Sequence, residues 1–206
     1  MEVKLLHSTP LEIVDIAICK CYGNEPHSDE AKIKARINRV ANVSKHSSVV
    51  EHLVHSFDIS GISRACLIEL SRHRIASYTV KSSRYTLQEL KKEKPFDVSN
   101  PDIDLVRASQ FIVFTKNDYV DYVSIKALEE LRVLLDMNVP NDLAKYCMPE
   151  AYKTSLVMSI NARSLQNFLE LRTSKHALKE IQELARALFE AIPEEHKFLF
   201  KEYIND

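Results

Sequence analysis

Apolar residues recur along this chain at two spacings, one close to the helical period and one alternating, and their succession predicts the elements. Residues 2 to 7 read as a short strand. Thr9-Pro10-Leu11-Glu12 then has the form of a capping box with proline at the first helical position, so a helix to about Cys21 should follow. Residues 29 to 43 put Ile33, Ile37 and Val40 on one stripe and lysines and arginines on the others, which predicts a second, amphipathic helix. The segment HSSVVEHL, 46 to 53, reads as a helical turn around an apolar pair, with Glu51 bonding to backbone. It leads into a strand, LVHSFDIS, where Phe57 and Ile59 alternate with Ser56, Asp58 and Ser60. Helical spacing returns over 62 to 74, and 101 to 138 supply one or two further helices after the loop KKEKPFDVSNP. TSLVMSIN, 154 to 161, sets Leu156, Met158 and Ile160 against Val157, Ser159 and Asn161 and so predicts another strand, with two terminal helices behind it. The expected class is α+β, built as one domain over 1–206.

Charge and composition narrow the function. With 28 basic and 29 acidic residues, the net charge is -1, so no global field attracts nucleic acid or an anionic membrane, and neither is expected as a partner. No apolar run reaches bilayer-spanning length, and the start MEVKLLHSTPLE is acidic where a signal peptide is apolar, which predicts a cytoplasmic protein. Cys19, Cys21, Cys66 and Cys147 stand singly and read as reduced core thiols. Only Gly23 and Gly61 occur, which excludes both a G-x-G-x-x-G turn and a Walker A loop. Any phosphate or dinucleotide must therefore be held by side chains and helix N-termini, above all by arginine.

Arginine is concentrated in one place. Between Arg64 and Arg84 lie Arg64, Arg72, Arg74, Lys81 and Arg84 against Glu69 alone, an excess of four positive charges in a near-neutral protein. On a helix over 62 to 74, Glu69 and His73 share a stripe with Ile62, Ala65 and Cys66 and so face inward, where an ionisable group must be paired or meet a ligand. A salt-bridged helix end would account for Arg72-His73-Arg74 alone. Ser82 and Arg84, flanked by Ser77, Ser83 and Tyr85, add the hydroxyl and guanidinium groups suited to phosphate oxygens.

A second anomaly lies in NARSLQNFLELR, 161 to 172. On a helix, Leu165, Phe168, Leu169 and Arg172 share one face while Arg163 and Asn167 share the opposite one. A guanidinium among apolar side chains requires either a buried carboxylate or an anionic ligand. His46, His52 and His55 invite a metal reading, but their spacing matches no zinc site and no cysteine or carboxylate cluster completes one, so no metal is expected.

Three stretches together resemble the flavin-dependent thymidylate synthases. The family signature, R-H-R, about seven residues, serine, and an arginine two positions on, is matched by Arg72-His73-Arg74, residues 75 to 81, Ser82 and Arg84. HSSVVEH resembles the family's H-x-S-x-x-E-H segment, and SINARSLQNFLELR its C-terminal N-A-R-S-L-x-N-F-L-x-L-R motif, in the same order along the chain. The resemblance implies FAD held by Arg72, His73 and Arg74, by Ser48 and Val80, and by Asn161, Ala162, Arg163 and Asn167, with His46 lining the flavin and folate side. It implies dUMP held by Glu69, Leu70, Ser71 and Arg72, by Val80, Lys81, Ser82, Ser83 and Arg84, and by Lys145 and Arg172. Arg172 is implied as the catalytic residue, polarising the uracil and favouring ionisation at its N3.

The same resemblance implies an antiparallel sheet with packed helices, assembled as a homotetramer with sites at subunit interfaces. It also implies NADPH as reductant, 5,10-methylenetetrahydrofolate as one-carbon donor, and no protein nucleophile. Cys147, in KYCMPE, has no adjacent histidine to activate it and reads as packing. Lys145 stands where many members have arginine, Glu69 where glutamine is usual, and Ser83 where glycine is common. A nucleotide- or RNA-binding module using the same arginines without turnover, and a family member that binds flavin without activity, are the competing readings.

Overall fold

The computed structural model describes residues 1–205, with the side chains of all of these but Thr86, Pro101 and Asp102. Its class is α+β. Strands β1 (Glu2–Ser8), β2 (Val54–Ser63), β3 (Ala76–Val80) and β4 (Lys153–Asn161) form one antiparallel sheet in the order β1-β2-β4-β3. The longer helices are α1 (Leu11–Tyr22), α2 (Glu30–Ile37), α3 (Arg64–Ser71), α4 (Asp118–Asp136), α5 (Ala162–Arg172) and α6 (Lys179–Ala191).

The chain divides into two compact units. The first comprises Met1–Ser60, Glu69–Thr79 and Val157–Asp206, and the second Gly61–Ile68 and Val80–Leu156. In the first, the alternation in β2 buries Phe57 and Ile59, that in β4 buries Met158 and Ile160, and α6 packs on α5 and β1. The second is centred on α4, whose Ile125, Leu128, Leu131 and Leu135 form a buried stripe packed with Leu90, Phe96, Phe111 and Ile112.

Several elements end elsewhere than local pattern predicts. Thr9 does not cap α1: its hydroxyl accepts the Val54 N–H at 3.2 Å, extending the pairing of β1 with β2, and Pro10 occupies the cap position. At the other end Gly23, at φ 68°, supplies the left-handed residue that closes α1. The helix predicted over 29 to 43 is capped by Asp29, which accepts from Lys32 N–H at 2.9 Å, but it changes to π-helical geometry over Asn38–Val43. Ile33, Ile37 and Val40 are nevertheless all buried. The helix predicted over 62 to 74 covers only Arg64–Ser71, because β2 runs on to Ser63. β3 was not anticipated, and the Glu51 side chain is exposed and makes no hydrogen bond among the described residues. Cys19 and Cys66 are buried as expected of core thiols, whereas Cys21 and Cys147 are exposed; none of the four is in a disulfide.

A buried histidine pair ties the C-terminal segment to the sheet. His55 Nε2 lies 3.2 Å from His196 Nδ1, and only one proton can occupy that contact, so one imidazole donates and the other accepts. Burial, together with the charge of His196, pushes the His55 pKa down to about 3. Between its unfolded value near 6.5 and that folded value, the unfolded chain binds the extra proton, so stability falls as pH falls through the window. The midpoint of urea unfolding should therefore shift down between pH 7 and pH 5, with His55 alone contributing about 2 kcal/mol. A His55→Gln variant should show a shallower pH dependence than the parent over the same range.

Candidate functional site

The predicted site residues fall partly into one cleft of the first unit and two clefts of the second. In the first unit, a cleft of about 750 Å³ is lined by Arg72, His73 and Arg74, by Arg163, Asn167 and Arg172, and by Ile75, Leu171, Ser174, His176 and Ala177. The helical reading of α5 explains this wall. Leu165, Phe168 and Leu169 are buried, Arg163 and Asn167 are exposed, and Arg172 stays largely buried at the last turn.

His73 reaches this cleft by a turn, not by a helical stripe. α3 stops at Ser71, and the hydroxyl of Tyr78 on β3 lies 2.7 Å from the His73 carbonyl oxygen and 3.1 Å from that of Leu70. This phenol, its pKa raised to about 12 by burial, folds the R-H-R segment back beside α5. The His73 ring then packs edge-on against Phe168 at 4.8 Å between centroids.

Arg172 is held from three directions. Its Nε–H donates to His73 Nε2 at 2.9 Å, its Nη1 to the Glu69 carboxylate at 2.7 Å, and its Nη2 to the Glu69 carbonyl oxygen at 3.2 Å. Both readings of Arg172 therefore meet in one place, since a carboxylate pairs it and the pair borders a cleft. A guanidinium carries five N–H donors, so after these three contacts two remain for a ligand. To accept from Arg172, His73 must be neutral at Nε2. Burial and then the Arg172 charge push its pKa down to about 4, which keeps it so. Arg72 lies 3.7 Å from Glu69 and is mostly exposed, while Arg74 and Arg163 make no ion pair among the described residues. The cleft thus offers unneutralised guanidinium groups beside an apolar wall.

Other predicted flavin residues stand apart from this cleft or do structural work. Asn161 caps α5, accepting the Ser164 N–H at 2.8 Å, and the buried Ala162 donates its N–H to Leu53 at 2.7 Å. Ser48 is exposed on the turn Ser47–His52, and His46 is exposed with its Nδ1 2.8 Å from the Tyr22 hydroxyl. Leu70 is fully buried and Ser71 is exposed.

The second unit holds the remaining predicted substrate residues, but not together. Ser83 and Lys145 line a cleft of about 350 Å³ with Arg64, Tyr146, Met148 and Glu150. Arg84 instead lines a separate cleft with Tyr85, Gln88, Lys91 and Asn141, and its carbonyl oxygen accepts from the Asn141 amide at 2.7 Å. Lys81 pairs with Glu89 at 3.1 Å, Ser82 is the N-cap of the turn beginning at Ser83, and Val80 ends β3 partly exposed. Sequence reasoning missed Tyr78 and the lining residues Ser174, His176 and Ala177. The only signal for the latter was their position just beyond the helix that carries Arg172.

Comparison with known proteins identifies the family. The family model described as thymidylate synthase complementing protein matches residues 4–196. A flavin-dependent thymidylate synthase of Helicobacter pylori strain 26695 is 55% identical over 205 residues, 98% of each chain. The chain belongs to the flavin-dependent thymidylate synthase family. A further family member, from Wolinella succinogenes, is 53% identical over 202 residues, 97% of each chain. Two crystal structures of thymidylate synthase X from Helicobacter pylori, each with FAD and dUMP, superpose with a TM-score of 0.94 at 54% identity over the whole of both chains.

The contact between Arg172 and His73 can be tested without a ligand. In an Arg172→Ala variant the His73 imidazole loses the cation that disfavours its protonation, so its pKa, read by NMR titration of the ring protons, should rise from about 4. An unchanged His73 titration would contradict the contact.

Proposed function

We propose that this protein catalyses the reductive methylation of dUMP to dTMP with FAD as cofactor, for de novo dTMP synthesis. In that reaction 5,10-methylenetetrahydrofolate supplies the one-carbon unit and NADPH supplies the reducing equivalents, so that dTMP, tetrahydrofolate and NADP⁺ are formed. The observation that carries the reading is the Arg172 guanidinium, held by a neutral His73 and by Glu69 at the edge of a cationic cleft. Family membership supports it, as does the presence of FAD and dUMP in the crystal structures of the Helicobacter pylori relative.

The residues present fit FAD. Arg74 and Arg163 make no ion pair within the described residues, and their charges suit a diphosphate in a chain that has no glycine loop for the purpose. Ile75, Leu171 and Ala177 give the same cleft an apolar side for an aromatic ring system. Arg72, His73, Arg74, Arg163 and Asn167 would hold the cofactor, which when bound supplies the hydride that reduces the one-carbon unit to a methyl group. Ser48, Val80, Asn161, Ala162 and His46 complete the proposed set.

For dUMP, Arg172 directs its two uncommitted N–H groups at the uracil, where they stabilise negative charge developing on the ring. Glu69 fixes the orientation of that guanidinium and accepts from a uracil N–H. His73, staying neutral, adds no second positive charge to compete with it. Leu70, Ser71 and Arg72 belong to the proposed contacts, as do Val80, Lys81, Ser82, Ser83, Arg84 and Lys145.

The whole chain acts as one catalytic domain in a cytoplasmic homotetramer with sites at subunit interfaces. The apolar side chains left in solvent on the single chain support an assembly, with Ile75 at 72%, Val106 at 82% and Tyr119 at 85% exposed. No helix among the described residues is long and apolar enough to cross a membrane.

The purified protein should carry the visible absorption of an oxidised flavin, elute as a tetramer, and oxidise NADPH faster when dUMP is added. Colourless protein that takes up no FAD on titration would sink the reading, and RNA affinity with a steep salt dependence would favour the binding-module alternative. In Arg172→Ala, dTMP formation should drop about 100-fold or more while flavin is retained. Unimpaired turnover would contradict the role given to Arg172.

A further inference from the structure

We infer that Asn205 is a positioning residue for Arg172, acting through the buried hydroxyl of Thr173 on the last turn of α5. The inference rests on the role proposed for Arg172 and adds to it what aims the guanidinium. Arg172 is the last residue of α5, and a helix end is where carbonyl groups lose their intrahelical partners and the backbone frays. A left-handed glycine closes α1, but α5 ends on Thr173 in right-handed geometry, at φ -82° and ψ -12°. Its terminal carbonyl groups therefore need donors from elsewhere.

Thr173 and Asn205 supply them. Thr173, which is buried, donates both its backbone N–H, at 2.9 Å, and its hydroxyl, at 2.7 Å, to the Leu169 carbonyl oxygen. Asn205 Nδ2 donates to the Glu170 carbonyl oxygen at 2.7 Å and to Thr173 Oγ1 at 3.0 Å, and the Asn205 N–H donates to the same Oγ1 at 2.9 Å. A hydroxyl has one proton and two lone pairs, so the Thr173 hydroxyl has all of them engaged. Residues 169, 170 and 173 are thus all held, and they bracket Arg172 in the chain.

Asn205 is itself fixed. Arg186 on α6 donates from Nη2 to the Asn205 carbonyl oxygen at 3.0 Å. Just upstream, Leu199 and Phe200 are fully buried, Gln166 Nε2 donates to the Leu199 carbonyl oxygen at 2.8 Å, and Glu202 pairs with Lys45 at 2.7 Å. Glu69 and His73 hold the side chain of Arg172, and Asn205 holds the backbone that carries it. The direction of the guanidinium depends on both. Nothing in the sequence marks this asparagine, because its partners lie 32 and 35 positions back.

The test measures dTMP formation by the flavin-loaded protein together with the NMR titration of His73. In Asn205→Ala, kcat should fall about 5- to 30-fold, with KM for dUMP within about threefold of the parent, because the aim of the guanidinium matters most where charge develops in the reaction. Flavin content should be unchanged. The His73 pKa should rise from about 4, by less than in Arg172→Ala, as the cation moves away while burial persists. Thr173→Val, which removes the hydroxyl and keeps the branched shape, should give the same pair of changes, and Thr173→Ser should recover most of both. Parental kcat and an unmoved His73 titration in Asn205→Ala and Thr173→Val would overturn the inference, as would a loss of thermal stability alone, which a merely structural cap would give. A parent protein that forms no dTMP would overturn the proposed function instead, and the His73 titration would still decide whether Asn205 fixes Arg172.

Discussion

The proposed chemistry depends on keeping a charged guanidinium largely out of water without neutralising it from every side. Arg172 meets that constraint by sharing its donors between an imidazole and a carboxylate. The carboxylate offsets the desolvation of the cation, and the imidazole orients it without adding charge. Remove the neutrality of His73 and two cations would face each other at 2.9 Å; remove Glu69 and the guanidinium would be left buried with too little compensation. The low pKa of His73 is thus a condition for the arrangement as much as a result of it.

The rest of the first unit can be read as support for that contact. α5 presents Arg172 at its last turn because Leu165, Phe168 and Leu169 anchor the same face in the core. Phe168 also packs against the His73 ring, so the apolar anchoring of the helix and the placing of the imidazole are one interaction. From the other side, Tyr78 holds the turn after α3 through the carbonyl oxygens of Leu70 and His73. A half-buried phenol with its proton committed in this way is held in place, and rigidity is what an electrostatic site requires.

A chain with two glycines cannot wrap backbone around phosphate, and the consequence is visible in how its cations are spent. Structural arginines are paired: Arg36 with Asp15 at 3.2 Å, and Arg132 with Glu129 at 2.8 Å. Arg74, Arg163 and Arg64 are not paired among the described residues, and all three line clefts. Apart from Arg172 and Arg72, which pair with Glu69, the arginines proposed to meet a ligand are thus set apart from those that hold the fold. Sequence alone does not make that distinction, because both kinds occur among similar neighbours.

What was legible in the sequence was whatever a single element encodes by itself. The alternation of β2 and β4 and the stripes of α2 and α5 follow from which face of each element is apolar, a property of residues two to four apart. The family motifs were legible for the same reason, being short and contiguous. Boundaries and partners were not. β2 overran into the predicted helix, Thr9 left its cap to bond Val54, and β3 went unanticipated within a stretch dominated by basic residues. His55 meets His196 across 141 positions and Arg172 meets Glu69 across 103. Local pattern states that a side chain turns inward, but its partner is set by the packing of whole elements. Thus the sequence by itself determined the α+β class, the apolar faces and the family, while only the tertiary structure decided that Arg172 would be paired, that His73 would be neutral, and which cations would remain free.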